Sequence, residues 1–160
     1  MDTITEARQH WEAAGWVDAA PGMAAVTSVM RAQQIYQAQV DEVLKPFGLT
    51  FSRYELLMLL MFSSRGSLPL KKASLRLQVH PTSVTNAVDR LALAELVERL
   101  PHPTDGRGTL VSITDDGRRL ALKATEALNA EVFTSPGLSP GGVEALVSVL
   151  EDLRRSVGDL

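Results

Sequence analysis

Apolar residues recur at helical spacing through most of this chain, and the pattern changes character once, near its middle. Val26, Val29, Met30, Tyr36, Val40, Val43 and Leu44 fall on one stripe. They predict an amphipathic helix from about Met23 to Lys45, which stops before Pro46 because a residue preceding proline avoids helical geometry. Residues 3–14 predict a shorter first helix ended by Gly15, followed by a loop over Asp18–Gly22. Ser52 with Glu55 three positions on has the form of a capping box, and the apolar run Leu56–Phe62 behind it predicts a buried third helix. Farther on, Thr114 with Asp115 and Asp116 predicts the capped, acidic start of a long helix striped by Leu120, Ala124, Leu128 and Val132. Thr134-Ser135-Pro136-Gly137 breaks that helix, and Ser139-Pro140 opens a last one with Val143, Leu146, Val147, Leu150, Leu153 and Val157 on one side.

Between Leu70 and Thr114 the elements are shorter and denser. A helix over Lys71–Leu77 leads through a tight turn to a second helix opened by Pro81, and two apolar strands flank the loop Pro103-Thr104-Asp105-Gly106-Arg107-Gly108. In Pro81–Glu95 the apolar Val84, Ala87, Val88 and Leu91 share one face, while Thr82, Ser83, Thr85, Asn86, Asp89 and Arg90 occupy the others. Hydroxyl and amide side chains near a helix start reach phosphate oxygens and base edges, helped by free backbone N–H groups. Asn86 suits adenine, Arg90 suits phosphate or guanine, and an arginine on a hairpin tip suits a minor groove. Plainer readings stand beside these: hydroxyls at a helix start are common caps, and Asp-Gly is a common turn dipeptide. The order helix, turn, helix, strand, arginine-tipped loop, strand is what favours a DNA-reading unit.

Composition narrows the classes further. With 160 residues, 45% hydrophobic and 22% charged, the chain reads as one soluble globular domain with a core of its own. No apolar run approaches the roughly 18 residues that would span a membrane, and the first residues, interrupted by Asp2, Glu6 and Arg8, carry no signal-peptide core. The absence of cysteine excludes disulfides and thiolate chemistry and fits the cytoplasm. The net charge of −3 argues against nucleic acid only until it is divided. Residues 65–119 hold nine Lys/Arg against six Asp/Glu, and the rest hold seven against thirteen, so the excess positive charge lies where DNA would meet it.

This stretch resembles the MarR family of winged helix-turn-helix transcriptional regulators, over about Met23–Val157. The resemblance is carried by Pro81-Thr82-Ser83-Val84-Thr85-Asn86-Ala87-Val88-Asp89-Arg90-Leu91, Leu96-Val97-Glu98-Arg99, Asp105-Gly106-Arg107, and Val111-Ser112-Ile113-Thr114 with Gly117 and Leu120. It implies a mainly α fold with a small β-wing, a winged helix-turn-helix (48–114) flanked by N-terminal (1–47) and C-terminal (115–160) dimerisation helices within one domain. It also implies a recognition helix over Pro81–Ala94, a wing in which Asp105 orients Arg107 toward the minor groove, and ligand-controlled binding of a homodimer to a palindromic operator, usually as a repressor. The candidate DNA-binding residues are Thr82, Ser83, Thr85, Asn86, Arg90, Asp105 and Arg107, with Lys71 and Lys72 on the preceding helix. Surplus apolar side chains on the terminal helices point to the same dimer. Four positions depart from the pattern: Glu95 stands where glycine ends the recognition helix, His80 where serine or threonine caps it, His102 where the wing is often acidic, and Leu100 where a basic residue is frequent.

Regulators that look like this take no cofactor and bind small aromatic or anionic effectors. Trp11 and Trp16 could stack on a ring, and Arg31, Tyr36, Arg53 and Tyr54 could complete such a site; the tryptophan-bearing extension resembles the urate- and PecS-like branch. His10, His80 and His102 lack ligand spacing, so no metal site is expected. No nucleophile, base and metal set converges, which argues against an enzyme, and Ser52 and Ser139 read as helix caps. The alternative is a winged-helix dimerisation or protein-interaction module that binds no DNA.

Overall fold

The computed structural model describes residues 1–160, which divide into two compact units, Met1–Glu42 and Val43–Leu160. In the first, helix α1 (Thr3–Ala13) starts at Asp2, whose carboxylate accepts from the Thr5 N–H, and the turn after it passes through Gly15 at φ +90°. Helix α2 (Ala20–Leu44) begins earlier than predicted and absorbs most of the expected Asp18–Gly22 loop. The reason is Pro21, which falls in the first turn, where a missing N–H leaves no bond unmade. Part of the α2 stripe faces outward: Val26, Val29 and Met30 are exposed.

The second unit opens with the end of α2, a 3-10 turn over Lys45–Phe47 and helix α3 (Phe51–Met61). The cap of α3 is Thr50, whose hydroxyl accepts from the Arg53 N–H at 3.3 Å. The expected Ser52–Glu55 capping box does not form, because Thr50 stands in extended geometry two residues earlier and Ser52 is already helical. Leu56, Leu57 and Leu60 are fully buried, but Phe62, which closes the apolar run, is 80% exposed just past the helix end. Around α3 pack helix α4 (Leu70–Leu77), helix α5 (Pro81–Leu93) and helix α6 (Asp115–Leu128). Val84, Val88 and Leu91 of α5 and Ala121, Ala124 and Leu128 of α6 complete the core. Each fully buried leucine contributes about 2 kcal/mol of transfer free energy.

The sheet has three strands rather than two. Strand β3 (Thr109–Ile113) lies between β2 (Val97–Pro101) and a short β1 (Ser67–Pro69), both antiparallel to it. Three residues ending in proline carry no strand signal, and such segments survive only at a sheet edge. Strand β2 is not apolar as expected: only Val97 is buried and the remainder faces outward. After α6 a π-helical segment (Asn129–Phe133) leads to the break, and helix α7 (Pro140–Ser156) is capped by Ser139 as predicted. No residue of α7 is buried, and no helix is long and apolar enough to cross a membrane.

The end of α5 keeps its tight geometry despite the glutamate. Glu95 adopts φ +60°, and the Leu96 and Glu95 N–H groups reach back to the carbonyls of Leu91 and Ala92, a Schellman ending built on a residue that pays about 1–2 kcal/mol for left-handed backbone. Glu95 also lines an open concavity with Glu98, Asp115, Asp116 and Arg119. Glu95→Gly should therefore raise stability by about 1 kcal/mol, read as a higher midpoint of denaturant unfolding at unchanged slope. A lower midpoint would mean that the side chain contributes contacts that outweigh the strain.

Candidate nucleic-acid interface

The turn between α4 and α5 is organised by Ser74, the one buried polar side chain. Its hydroxyl donates to the Val79 carbonyl at 2.9 Å, and its own carbonyl accepts from the Gln78 and Val79 N–H groups. Gln78 sits there at φ +54°. Nothing in the sequence singled out Ser74, because a serine at mid-helix reads as surface. From this turn α5 starts at His80, whose Nδ1 accepts from the Thr82 N–H at 3.1 Å. The histidine thus replaces the hydroxyl cap with a ring nitrogen.

On α5 the predicted faces separate. Thr82, Ser83, Thr85, Asn86 and Arg90 are exposed, opposite Val84, Val88 and Leu91. The Thr85 hydroxyl donates to the Pro81 carbonyl at 3.0 Å, which leaves its oxygen free to accept from a partner; the Asn86 amide is unengaged. Asp89 pairs with Arg99 of β2, and this pair joins the recognition-helix candidate to the sheet that carries the hairpin.

The hairpin tip is a chain of local bonds. Nδ1 of His102 accepts from the Thr104 N–H at 3.2 Å and the Asp105 N–H at 3.1 Å. The Asp105 carboxylate accepts from the Arg107 N–H at 3.0 Å, and the Asp105 carbonyl accepts from the Gly108 N–H. Asp105 therefore orients Arg107 through the backbone, in an Asx-turn, rather than through the guanidinium. The Arg107 side chain is exposed and has no partner in the chain. His102 performs the anchoring that the sequence-level departure left open, since one ring nitrogen gathers two successive N–H groups.

These parts meet at one place. Lys71 and Lys72 of α4, Thr85 of α5 and His102, Asp105 and Arg107 of the hairpin line a single open cleft of about 780 Å³. Arg90 is not among them. It lines a smaller cleft of about 360 Å³ with Gly48, Leu49 and Arg53, where Arg53 donates to the Gly48 carbonyl at 3.3 Å. Two further groups of candidates lie elsewhere. Trp11 and Trp16 meet edge to face at 5.3 Å across the Gly15 turn, with Trp16 56% exposed; Arg31 is exposed and Tyr36 half-buried on α2. Tyr54, expected among the effector residues, belongs to the core instead: it is 5% exposed, its hydroxyl bonds Thr125 at 2.7 Å, and its ring stacks on Phe51.

Comparison with known proteins sets this arrangement in a family. The MarR family model matches residues 49–109, the stretch from the start of α3 to the hairpin. The crystal structure of Sco5413, a MarR family transcriptional regulator from Streptomyces coelicolor, is 49% identical in sequence, with 88% of this chain and 97% of that chain covered and a TM-score of 0.80. Sco3205 from the same organism, a MarR family transcriptional regulator solved in complex with DNA, superimposes at a TM-score of 0.74 over 84% of this chain and 86% of that chain, at 23% identity, and so shares the fold. The uncharacterized HTH-type transcriptional regulator YhbI of Bacillus subtilis is 34% identical over 93 residues, 56% of this chain, and the matched stretch spans 59% of that relative's length. On these grounds, and with its helix-turn-helix and hairpin in place, the chain belongs to the MarR family of transcriptional regulators.

Proposed function

We propose that the chain reads double-stranded DNA sequence-specifically as a homodimer, on a palindromic operator, and that a small aromatic or anionic effector controls that binding, the usual outcome being repression. The observation that carries the reading is the cleft in which the unpartnered Arg107, the lysines of α4 and the start of α5 converge. A helix start supplies free N–H groups and hydroxyls to a major groove, and an arginine about one hairpin away enters the adjacent minor groove. The DNA complex of Sco3205 supports the reading by analogy of fold. Thr82, Ser83, Thr85 and Asn86 are assigned to base edges and phosphates, Lys71 and Lys72 to phosphates, Arg107 to the minor groove, and Asp105 to the shape of the wing. Arg90, in its separate cleft, is assigned to the flanking backbone.

Dimerisation accounts for α7, which buries none of its apolar side chains in the single chain and leaves Leu146, Val147, Val149 and Leu153 exposed. A face of that kind calls for a partner. For the effector, the Trp11–Trp16 pair, with Trp16 exposed, offers stacking, and Tyr36 and Arg31 on α2 offer polar contacts. Such a ligand acts only through different affinities for the DNA-competent and incompetent states. On this reading the protein works in the cytoplasm.

The test is titration of the protein against duplexes spanning the DNA around its own coding region at increasing salt, with sedimentation of the free protein alongside. Each neutralised phosphate should add about −0.9 to the slope of log affinity against log salt, and the free protein should sediment as a dimer at micromolar concentration. A flat salt response, or no binding beside a preserved dimer, would favour the protein-interaction module instead.

A further inference from the structure

The end of α7 folds back on itself. Gly158 takes φ +74°, the Asp159 N–H reaches the Arg154 carbonyl at 2.9 Å, and the Gly158 N–H reaches the Arg155 carbonyl, a Schellman ending that brings the Asp159 side chain to Arg154. Nε of Arg154 donates to the Asp159 carboxylate at 2.6 Å. The same guanidinium, through Nη2, donates to Oε1 of Gln78 at 3.0 Å, and Nε2 of Gln78 donates to the Asp159 carbonyl at 2.6 Å. Both ends of the Gln78 amide are thereby used, and the ring of bonds Gln78–Arg154–Asp159 closes across a sequence separation of 76 to 81 residues.

Gln78 is no ordinary surface residue. It is the left-handed residue of the turn between α4 and α5, and that turn sets the angle at which α5 leaves α4. Two short, locally ordered helix endings, each closed by its own backbone bonds, are therefore joined by one side chain. Because both are already fixed by backbone bonds, little conformational entropy opposes the link. Individually each bond is partly exposed and modest; together they give the turn a single seat on α7.

We infer that Gln78, Arg154 and Asp159 are positioning residues that tie the recognition helix to the C-terminal helix, so that the disposition of α7 in the dimer fixes where each recognition helix points. Its functional consequence rests on the DNA-binding reading above; the link itself does not. An operator with two half-sites requires two recognition helices at a set separation, whereas a single half-site requires only one. Loosening the link therefore costs the first and spares the second.

The experiment compares full-length wild type, Arg154→Ala, Gln78→Gly and the double variant. Glycine at 78 keeps the left-handed turn and removes only the amide. The probes are a duplex selected from random sequence by the wild-type protein and the same duplex with one half-site scrambled, with backbone amide exchange of the free protein as a third arm. Affinity for the intact duplex should fall at least about fivefold in each single variant and no further in the double variant, since all act on one link, while half-site affinity stays at wild type and no variant melts lower, glycine at 78 relieving the same left-handed strain as at Glu95. The amides of Val79, His80, Thr82 and Ser83 should exchange faster in each. Unchanged affinity for the intact duplex, or parallel losses on both duplexes with a lowered melting temperature, would overturn the inference. If the wild type selects no duplex at all, the DNA reading has failed, and amide exchange decides the link alone: unchanged protection of the turn in Arg154→Ala rejects it.

Discussion

Arg107→Ala should weaken operator binding by about 1–3 kcal/mol, roughly five- to 150-fold, while leaving the melting curve in place. The two halves of that expectation have separate causes. Stability is spared because the guanidinium is exposed and has no partner; what orders the hairpin is the Arg107 backbone N–H on Asp105 and the His102 ring below it, neither of which alanine removes. Binding suffers because a narrow minor groove concentrates negative potential, and a planar cation at a fixed position is what exploits it. Arg107→Lys should fall between the two, since it keeps the charge and loses the planar fork. Gel-shift or anisotropy titration at fixed, moderate salt is the measurement. Wild-type affinity for the alanine variant would move Arg107 out of the interface.

The largest effect on stability should come from Gly117→Ala. Gly117 lies buried in the first turn of α6, and a Cβ there would stand 2.2 Å from the Leu96 carbonyl oxygen and 2.8 Å from Cγ1 of Ile113. The first neighbour is backbone and has no room to yield. It is also already engaged, because the Leu96 carbonyl accepts from the Thr114 N–H at 3.0 Å. Thr114 in turn caps α6 by accepting from the Gly117 N–H at 3.0 Å and donates its hydroxyl to the Glu95 carbonyl at 2.8 Å. One methyl group would thus strain the end of α5, the start of β2 and the cap of α6 together. A destabilisation of about 3 kcal/mol follows from overpacking of this kind, which for a domain of this length lowers the melting temperature by about 6–12 °C. Gly22→Ala, in the first turn of α2 with no atom within 4 Å of the added carbon, is the control and should be neutral or slightly stabilising. A melting temperature for Gly117→Ala close to wild type would show that α6 is not seated on Leu96.

Most of the helices were legible because their signals are local and redundant. Pro81, Thr114 and Ser139 each announce a helix start through their own chemistry, and the apolar spacing of α5 and α6 repeats over several turns, so that an error at one residue does not move the element. The α5 faces followed for the same reason. Ser52 misled because a capping box is a statement about which of several nearby hydroxyls takes the extended conformation, and Thr50, two residues earlier, takes it. Phe62 misled because an apolar run does not say where its helix ends. Strand β1 was invisible, as three residues acquire strand character only from the neighbour that pairs with them.

For the candidate site, the residue types and their order could be read from the chain: hydroxyls and an amide on one helix, then an arginine between two glycines on a turn. Their convergence could not. Lys71, Thr85 and Arg107 line one cleft only because the Asp89–Arg99 pair and the β2–β3 register bring the hairpin alongside α5, and Arg90, adjacent in the same motif, falls in another cleft by the turn of the helix. His80 and His102 looked like losses relative to the family pattern, yet each gives a ring nitrogen to backbone N–H groups, which composition alone does not foretell. By itself the sequence determined the helices, the polar face of α5 and the family, since these depend on interactions a few residues long or on a motif spread along the chain. The tertiary structure alone decided that Tyr54 is core rather than ligand site, that Gly117 admits no side chain, and that Gln78 meets Arg154 and Asp159. Each of those depends on atoms brought together from positions tens of residues apart, where spacing along the chain carries no information about distance in space.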